Sequence, residues 1–394
     1  MTFSTLALVT ALGLLGPVLA ARKSWHLPLI LGPMLAGVVF GATGFRVLDS
    51  TEPTFAFLAD IGFALVMFVA GTHVPVRDPA VRSALGAGAA RAAAVGVIAA
   101  VLGTALAAAF GTGHAALYAV LMASSSAAVV LPIINSNHLT GKPVLALTAQ
   151  VAIADTVCVV ALPLVIDPPT AGRAALGALA VGVAAFVMFL ILRWSENNGV
   201  RDRLEAFSAE REFALQLRIS LVALFILAAI ATTMHVSVML AGFALGLAVA
   251  AVGEPRRMAA QLFAIEEGFF APLFFVWLGA RVNLRDLVEN PKFILLGLAL
   301  GFGAIAAHVA MRAVGLPIPL GVLAAAQIGV PVAAVTVGEQ LGLFAAGEGS
   351  ALILGALVTI GGAAIAAGRA ATSAPSGPPP SASTSPGAAP GSPS

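Results

Sequence analysis

The chain has 394 residues, 60% of them apolar, 10% charged and 41 glycine. That composition excludes a soluble enzyme of this length and describes a polytopic membrane protein, in which Gly and Ala let helices approach closely. A net charge of +2 leaves no basic stripe for nucleic acid, and a lone Cys158 excludes an internal disulfide.

The first apolar stretch has no basic residue before it, while Arg22 and Lys23 follow it. A secretory signal carries its positive charge first, so this stretch reads as a membrane helix. Apolar runs bounded by polar, Pro or Gly residues predict thirteen spans: 4–21, 27–43, 53–71, 86–110, 114–135, 141–166, 172–193, 212–232, 236–252, 258–281, 292–312, 318–341 and 349–368. Residues 371–394 hold only Ala, Thr, Ser, Pro and Gly, a composition that cannot build a core and predicts a disordered tail. Lys and Arg divide 13 to 5 between the two sides of this arrangement, with Arg91 and Arg218 inside spans. The positive-inside rule then puts the N-terminus outside and the C-terminus in the cytoplasm.

The third and tenth spans end alike. Residues 65–78 (LVMFVAGTHVPVRD) and 273–286 (LFFVWLGARVNLRD) share Leu, Gly, Val, Arg and Asp at an offset of 208. The two copies run in opposite directions through the predicted bilayer, the signature of an inverted-repeat transporter. The fifth span carries Ser124, Ser125 and Ser126 near its middle, with Pro132 beyond. The same offset leads to the twelfth span, interrupted at 327–331 by Gln327, Gly329 and Pro331. Paired interrupted helices in two halves point to a carrier's binding site, because broken backbone persists in a membrane only where it faces a cavity or protein.

Asp155 lies between these features. It sits thirteen residues into an apolar run, with no charge within ten residues on either side. At 1.5 Å per residue that is about 20 Å into a hydrocarbon core about 30 Å thick. A carboxylate at that depth marks an ion or proton site. Hard cations prefer oxygen ligands, and Asp155, the three serine hydroxyls, Thr156 and freed carbonyls could supply them.

Several segments resemble landmarks of the monovalent cation/proton antiporter-2 family, in the expected order. LMASSSAAVVLP at 121–132 is similar to its "SSTAVVLP" segment, and IADTVCVVALP at 153–163 to its "QD-x-x-x-x-P" helix; 29–37, 61–71, 241–246 and 272–279 match further ones. The resemblance covers about 4–368. It implies an all-α sodium/proton antiporter fold with two crossed, discontinuous helices, in a homodimer in the plasma membrane. A core, drawn over 53–166 without its outer helices and over 258–368, would slide against a panel formed by the rest of residues 1–370. Asp155 would bind cation or proton in turn, with the serines and Gln327 at the unwound stretches.

The chain departs from the family at three positions. Ala154 stands where the family has Asp, Asn or Gln, Gly303 where it has a basic residue, and Val330 where the second crossed helix has an acid. One carboxylate that alternates between a cation and a proton implies electroneutral exchange of Na+ or K+ for H+, with no cofactor. The alternatives are a transporter-like sensor that no longer exchanges ions and a carrier of an organic cation.

Other polar residues have plainer readings. Asp60 reads as a near-interface charge or a second ligand. Glu266 and Glu267 read as a pair with a basic neighbour or the lining of a cytoplasmic funnel. Arg91 and Arg218 snorkel. His308 reads as hydrogen-bonded or as a substitute titrating group, and Cys158 as a small packer. No Walker A, HExxH, zinc spacing or nucleophile elbow is present, which argues against ATP-driven transport and enzyme chemistry.

Overall fold

Capping residues and proline set the helix starts. Glu52 accepts a hydrogen bond from the Phe55 amide (2.8 Å) ahead of Pro53, Asp78 accepts from Ala80 (2.8 Å) ahead of Pro79, and Ser237 accepts from Met239 (3.2 Å). Each satisfies an amide that the first helical turn leaves unpaired, and proline at the first position gives up nothing there. The computed structural model describes residues 1–21, 29–137, 139–201, 203–204, 207, 213–234, 236–253 and 256–373, the side chains of 136, 256–258 and 371–373 excepted.

Among the described residues the chain is helical, with no strand. In order the helices are α1 (Phe3–Gly13), α2 (Leu15–Ala20), α3 (Leu31–Phe40), α4 (Pro53–Thr72), α5 (Pro79–Phe110), α6 (Ala115–Ala123), α7 (Ala127–Ser136), α8 (Lys142–Val165) and α9 (Ala171–Asn197). Then come α10 (Leu215–Thr233), α11 (Val238–Val252), α12 (Arg256–Ile265), a π-turn (Glu266–Phe270), α13 (Ala271–Arg281), α14 (Leu284–Glu289), α15 (Pro291–Val309), α16 (Ile318–Ala324), α17 (Gly329–Gln340) and α18 (Glu348–Ser373). They make eleven stretches long and apolar enough to span a membrane, plus two shorter apolar helices, α3 and α11. This matches the thirteen expected spans.

Three boundaries differ from expectation. The fourth span starts at Pro79, not 86, because Asp78 and Pro79 cap it and its first turns tolerate Arg82. The second interruption covers 325–328, not 327–331: Pro331 lies in the first turn of α17, where a missing amide costs little. The last helix continues through Ser373, and the expected tail beyond it lies outside the described residues. Arg22, Lys23 and Arg211, counted for orientation, also lie outside them.

The repeat is visible in the packing. A Cβ on Gly279 would stand 2.0 Å from the Met34 carbonyl oxygen, and one on Gly37 2.1 Å from that of Val276, so α3 and α13 meet backbone to backbone. In the other half, a Cβ on Gly71 would lie 2.5 Å from the Phe243 oxygen and one on Gly246 2.2 Å from that of Phe68, so α4 and α11 meet the same way. Gly71 and Gly279 are the glycines paired by the offset of 208. Helices α4 and α13 run antiparallel: Trp277 donates to the Ser50 carbonyl (2.9 Å) near the start of α4, while Phe63 stacks on Phe274 (4.8 Å) and Gly62 abuts Phe270. Repeated segments in opposite orientation are thus a fact of the fold.

A second group of helices packs separately. Helix α5 lies on α6 and α8, α15 lies on α18 and against α5 and α6, and α16 and α17 lie on α18. The two interrupted helices belong to this second group. Helix α4 reaches it through α7, and Met67 of α4 stands 3.2 Å from where a Cβ on Gly329 would be.

Candidate ion-binding site

Both interruptions fall at the middle of the second group, and they touch. The Ser126 amide donates to the Ala326 carbonyl across them (2.8 Å), and the Ser124 hydroxyl bonds to Gln327 Oε1 as well as to the Leu121 carbonyl (2.8 Å). The Gln327 amide is 3.4 Å from the Thr359 hydroxyl of α18. Backbone freed by a break is costly in a membrane unless repaired in this way. Half-helices α7 and α17 start here, and α6 and α16 end here. The site therefore receives two helix N-termini, which favour an anion, and two C-termini, which favour a cation.

Asp155, 6% exposed, reaches the crossing from the middle of α8. Its Oδ2 accepts a hydrogen bond from the Ala127 amide, the first of α7 (2.8 Å), and among the described residues it has no ion pair. Ser124, Ser125 and Ser126 are at most 3% exposed, as is Gln327. Among the described residues the Ser125 hydroxyl has no hydrogen-bond partner. The structure thus brings together Asp155, the three serines and Gln327. The Thr156 hydroxyl donates to the Ala152 carbonyl of its own helix (2.7 Å), one position on from Asp155.

The family's replaced positions are closed. A Cβ on Gly303 would lie 2.9 Å from Met122 Sδ, and Ala154 and Val330 are buried. His308 is fully buried with its Nδ1 on the Ala304 carbonyl (2.9 Å), the hydrogen-bonded reading. Arg91 reaches the Val314 carbonyl (3.3 Å). The basic neighbour expected for Glu266 is not there: among the described residues Glu266, 8% exposed, has no ion pair or hydrogen bond, and it opens the π-turn. Asp60 is half-buried within electrostatic reach of Arg281, which pairs with Glu339 and lies 4.8 Å over the Trp277 ring.

Sequence reasoning missed several polar groups. Thr359 offers no signal, since its role depends on a contact across 32 residues of chain. Glu348, 1% exposed, accepts from Tyr118 (2.6 Å) and pairs with His114 (2.6 Å), joining the starts of α6 and α18. Gln150, buried with both side-chain amide atoms unpartnered among the described residues, had a readable signal: it is an amide side chain within Asp155's apolar run.

What this bundle and site define is an integral membrane carrier of inverted-repeat build. Residues 7–369 match the family model described as "Sodium/hydrogen exchanger, transmembrane", and the chain belongs to that family. It is 27% identical over 334 residues to the probable Na(+)/H(+) antiporter 3 of Methanocaldococcus jannaschii, covering 82% of this chain and 84% of that one. It is 30% identical over 294 residues to the glutathione-regulated potassium-efflux system protein KefC of Salmonella typhimurium, covering 70% of this chain but only 44% of KefC. The solved structure of the sodium proton antiporter MjNhaP1 of M. jannaschii superposes with a TM-score of 0.66 at 17% identity, over 94% of this chain and 98% of that one. These relatives are transporters, not enzymes, and the likeness to the antiporter-2 landmarks holds.

Proposed function

We propose that the chain exchanges a monovalent cation, Na+ or K+, for protons at Asp155, electroneutrally and by alternating access of an elevator type. The observation that carries this is the placement of a lone, buried carboxylate, held by one amide, where two broken helices cross. Ionised, Asp155 holds the cation with oxygens of Ser125, the neighbouring serines, Gln327 and freed carbonyls; protonated, it crosses without one. An empty ionised site is the costly state, and that cost couples the two fluxes.

The packing supports a narrower moving core than the sequence suggests. Helices α4 and α13 are locked by glycines to α11 and α3, so we assign them to the panel and restrict the core to α5–α8 and α15–α18. The same reading places the N-terminus outside and the C-terminus in the cytoplasm of a plasma membrane, supported by the charge asymmetry of the connections. It also makes the protein a homodimer through outer helices, supported by family membership.

The test uses vesicles holding a pH-sensitive dye, with Na+, K+ or an organic cation added in turn. Proton efflux should follow Na+ or K+ and vanish in Asp155→Asn, with no current at zero membrane potential. Flux that survives the substitution refutes the mechanism. Silence from the unaltered protein favours the sensor reading.

A further inference from the structure

Helices α9, α10 and α11 pack on one another but leave a crevice where α9 and α11 end and α10 begins. Its volume is about 300 Å³, far more than one water occupies and at the lower end of the range for ligand pockets. Leu192 of α9, Ala223 of α10, and Leu245 and Val249 of α11 give it an apolar wall. Polar groups gather at one end: Arg201 just past α9, Gln216 in the first turn of α10, and Gly253 just past α11. From Gln216 to Ala223 the apolar part runs about 10 Å along the helix.

The entrance faces sideways. Ile191, Trp194 and Ile219 border the crevice and are 52%, 61% and 47% exposed. They stand on spans whose outer faces carry further exposed apolar side chains, among them Phe186, Leu190, Val222 and Ile226. In a membrane chain such faces meet hydrocarbon, so the crevice opens onto acyl chains. Water fits its deep part poorly, because a buried water needs two to four polar partners. Left empty, the walls forfeit their dispersion contacts. A hydrocarbon chain meets both conditions.

The polar end suits a lipid headgroup. Arg201 donates to the Gly253 carbonyl (2.9 Å) and pairs with Glu196 (2.6 Å), yet its side chain keeps 21% exposure. Arg77 donates to the Val252 carbonyl (2.6 Å) at the end of α11, and exposed Arg193 and Arg218 stand on the terminal turns of α9 and α10. Against these four arginines, the described ends of the three helices carry one acid, Glu196. Where the polar and apolar linings meet, Gln216 Nε2 is buried with no hydrogen-bond partner among the described residues. Trp194 adds an indole of the kind that settles at the headgroup boundary.

We infer that this crevice is a lipid site, taking one acyl chain of an anionic phospholipid from the leaflet at these helix ends. The chain lies along Ala223, Leu245 and Val249, an ester carbonyl accepts from Gln216 Nε2, and the phosphate sits at Arg201. Guanidinium groups bind phosphate oxygens as a fork, and the surrounding arginines favour a headgroup with net negative charge. Helix α9 also packs on α8, the helix of Asp155, so the lipid sits at a joint between the two helix groups and apart from the ion site. Its binding does not depend on exchange at Asp155.

The test is native mass spectrometry of the full chain, stripped of lipid in detergent and titrated with phosphatidylglycerol or phosphatidylcholine of identical acyl chains. One phosphatidylglycerol per protomer should bind, at a half-maximal concentration about fivefold below that of phosphatidylcholine. Ala223→Trp fills the crevice, and Ile219→Trp, at an exposed position, blocks its entrance; each should abolish this binding. Arg201→Gln should still bind lipid but lose the fivefold preference. Leu176→Trp, exposed farther along α9, should change nothing. Should Ala223→Trp not fold, Ile219→Trp decides. Lipid binding unaltered in Ile219→Trp, or no preference between headgroups in the unaltered protein, would overturn the site. So would a change of oligomeric state in Ile219→Trp, which would give the crevice to a second copy of the chain.

Discussion

Neutralising Asp155 should make the protein more stable and at the same time blind to its cargo. An ion buried without a counter-ion costs several kcal/mol, and one hydrogen bond to a charged group returns about 1.5–3 kcal/mol. Asp155 has that one bond, from the Ala127 amide, and 6% exposure. Asparagine keeps an oxygen for the same amide, so Asp155→Asn should gain about 1–3 kcal/mol at neutral to alkaline pH without cation. At roughly 2 °C per kcal/mol the apparent Tm rises by about 2–6 °C. The gap should close on acidification, as the native carboxyl takes up its proton. A cation at a hundred times its Kd adds about 2.7 kcal/mol, or roughly 5 °C, to the unaltered protein alone. Buried Cys158 supplies the assay: a thiol-reactive dye in detergent reads unfolding at a fixed scan rate, with choline chloride holding ionic strength constant. A sodium- or potassium-dependent shift of equal size in Asp155→Asn would refute the placement of the cation there.

Other substitutions test the frame around that site. Gly279→Ala would put a methyl group 2.0 Å from the Met34 oxygen, so α3 and α13 must part; the expected cost is about 1–3 kcal/mol in the same melt, whereas Gly96→Ala, with nothing within 4 Å, should gain about 0.5–1 kcal/mol. Ser124→Ala leaves Gln327 Oε1 without its partner across the breaks, costs about 1–3 kcal/mol and should weaken cation capture measured from either face. Tyr118→Phe removes one of the bonds to Glu348, lowers stability by about 1.5–3 kcal/mol and should leave the exchange rate unchanged, since that cluster lies at the helix starts and not at Asp155.

Features set by local chemistry were readable in the sequence. Span positions follow from apolar run length, the first break from three consecutive serines, and the importance of Asp155 from its isolation in an apolar run. The second break falls a few residues earlier than the sequence suggests, because Pro331 reads as an interruption but sits in the first turn of the following half-helix. Features that depend on contacts between distant segments were not readable. Thr359 under Gln327 and Glu348 under Tyr118 look like ordinary helix-start and mid-helix residues until folding brings their partners over. The glycine contacts that group α4 with α11 are a middle case: GxxxG at Gly242 and Gly246 is visible but too common to name its partner.

The three positions at which this chain departs from the family share one physical consequence. With Gly303 facing Met122, and with Ala154 and Val330 packed in the interior, no fixed charge stands at the breaks themselves among the described residues. Neutral bonds hold the crossing instead: the Ser126 amide to the Ala326 carbonyl, and Ser124 to Gln327. A neutral brace asks nothing of the cargo, so on the exchange reading proposed above Asp155 is the one group at the crossing, among the described residues, whose charge would change when a cation replaces a proton. If a basic side chain shared the site, releasing it on cation binding would add a charge to the cycle. Introducing one therefore tests the reasoning in reverse. Gly303→Lys with Met122→Ala to open the space should slow exchange, and any exchange that remains should become sensitive to membrane potential. Voltage-insensitive exchange at the native rate in that double variant would show that the Gly303 position has no electrostatic access to Asp155.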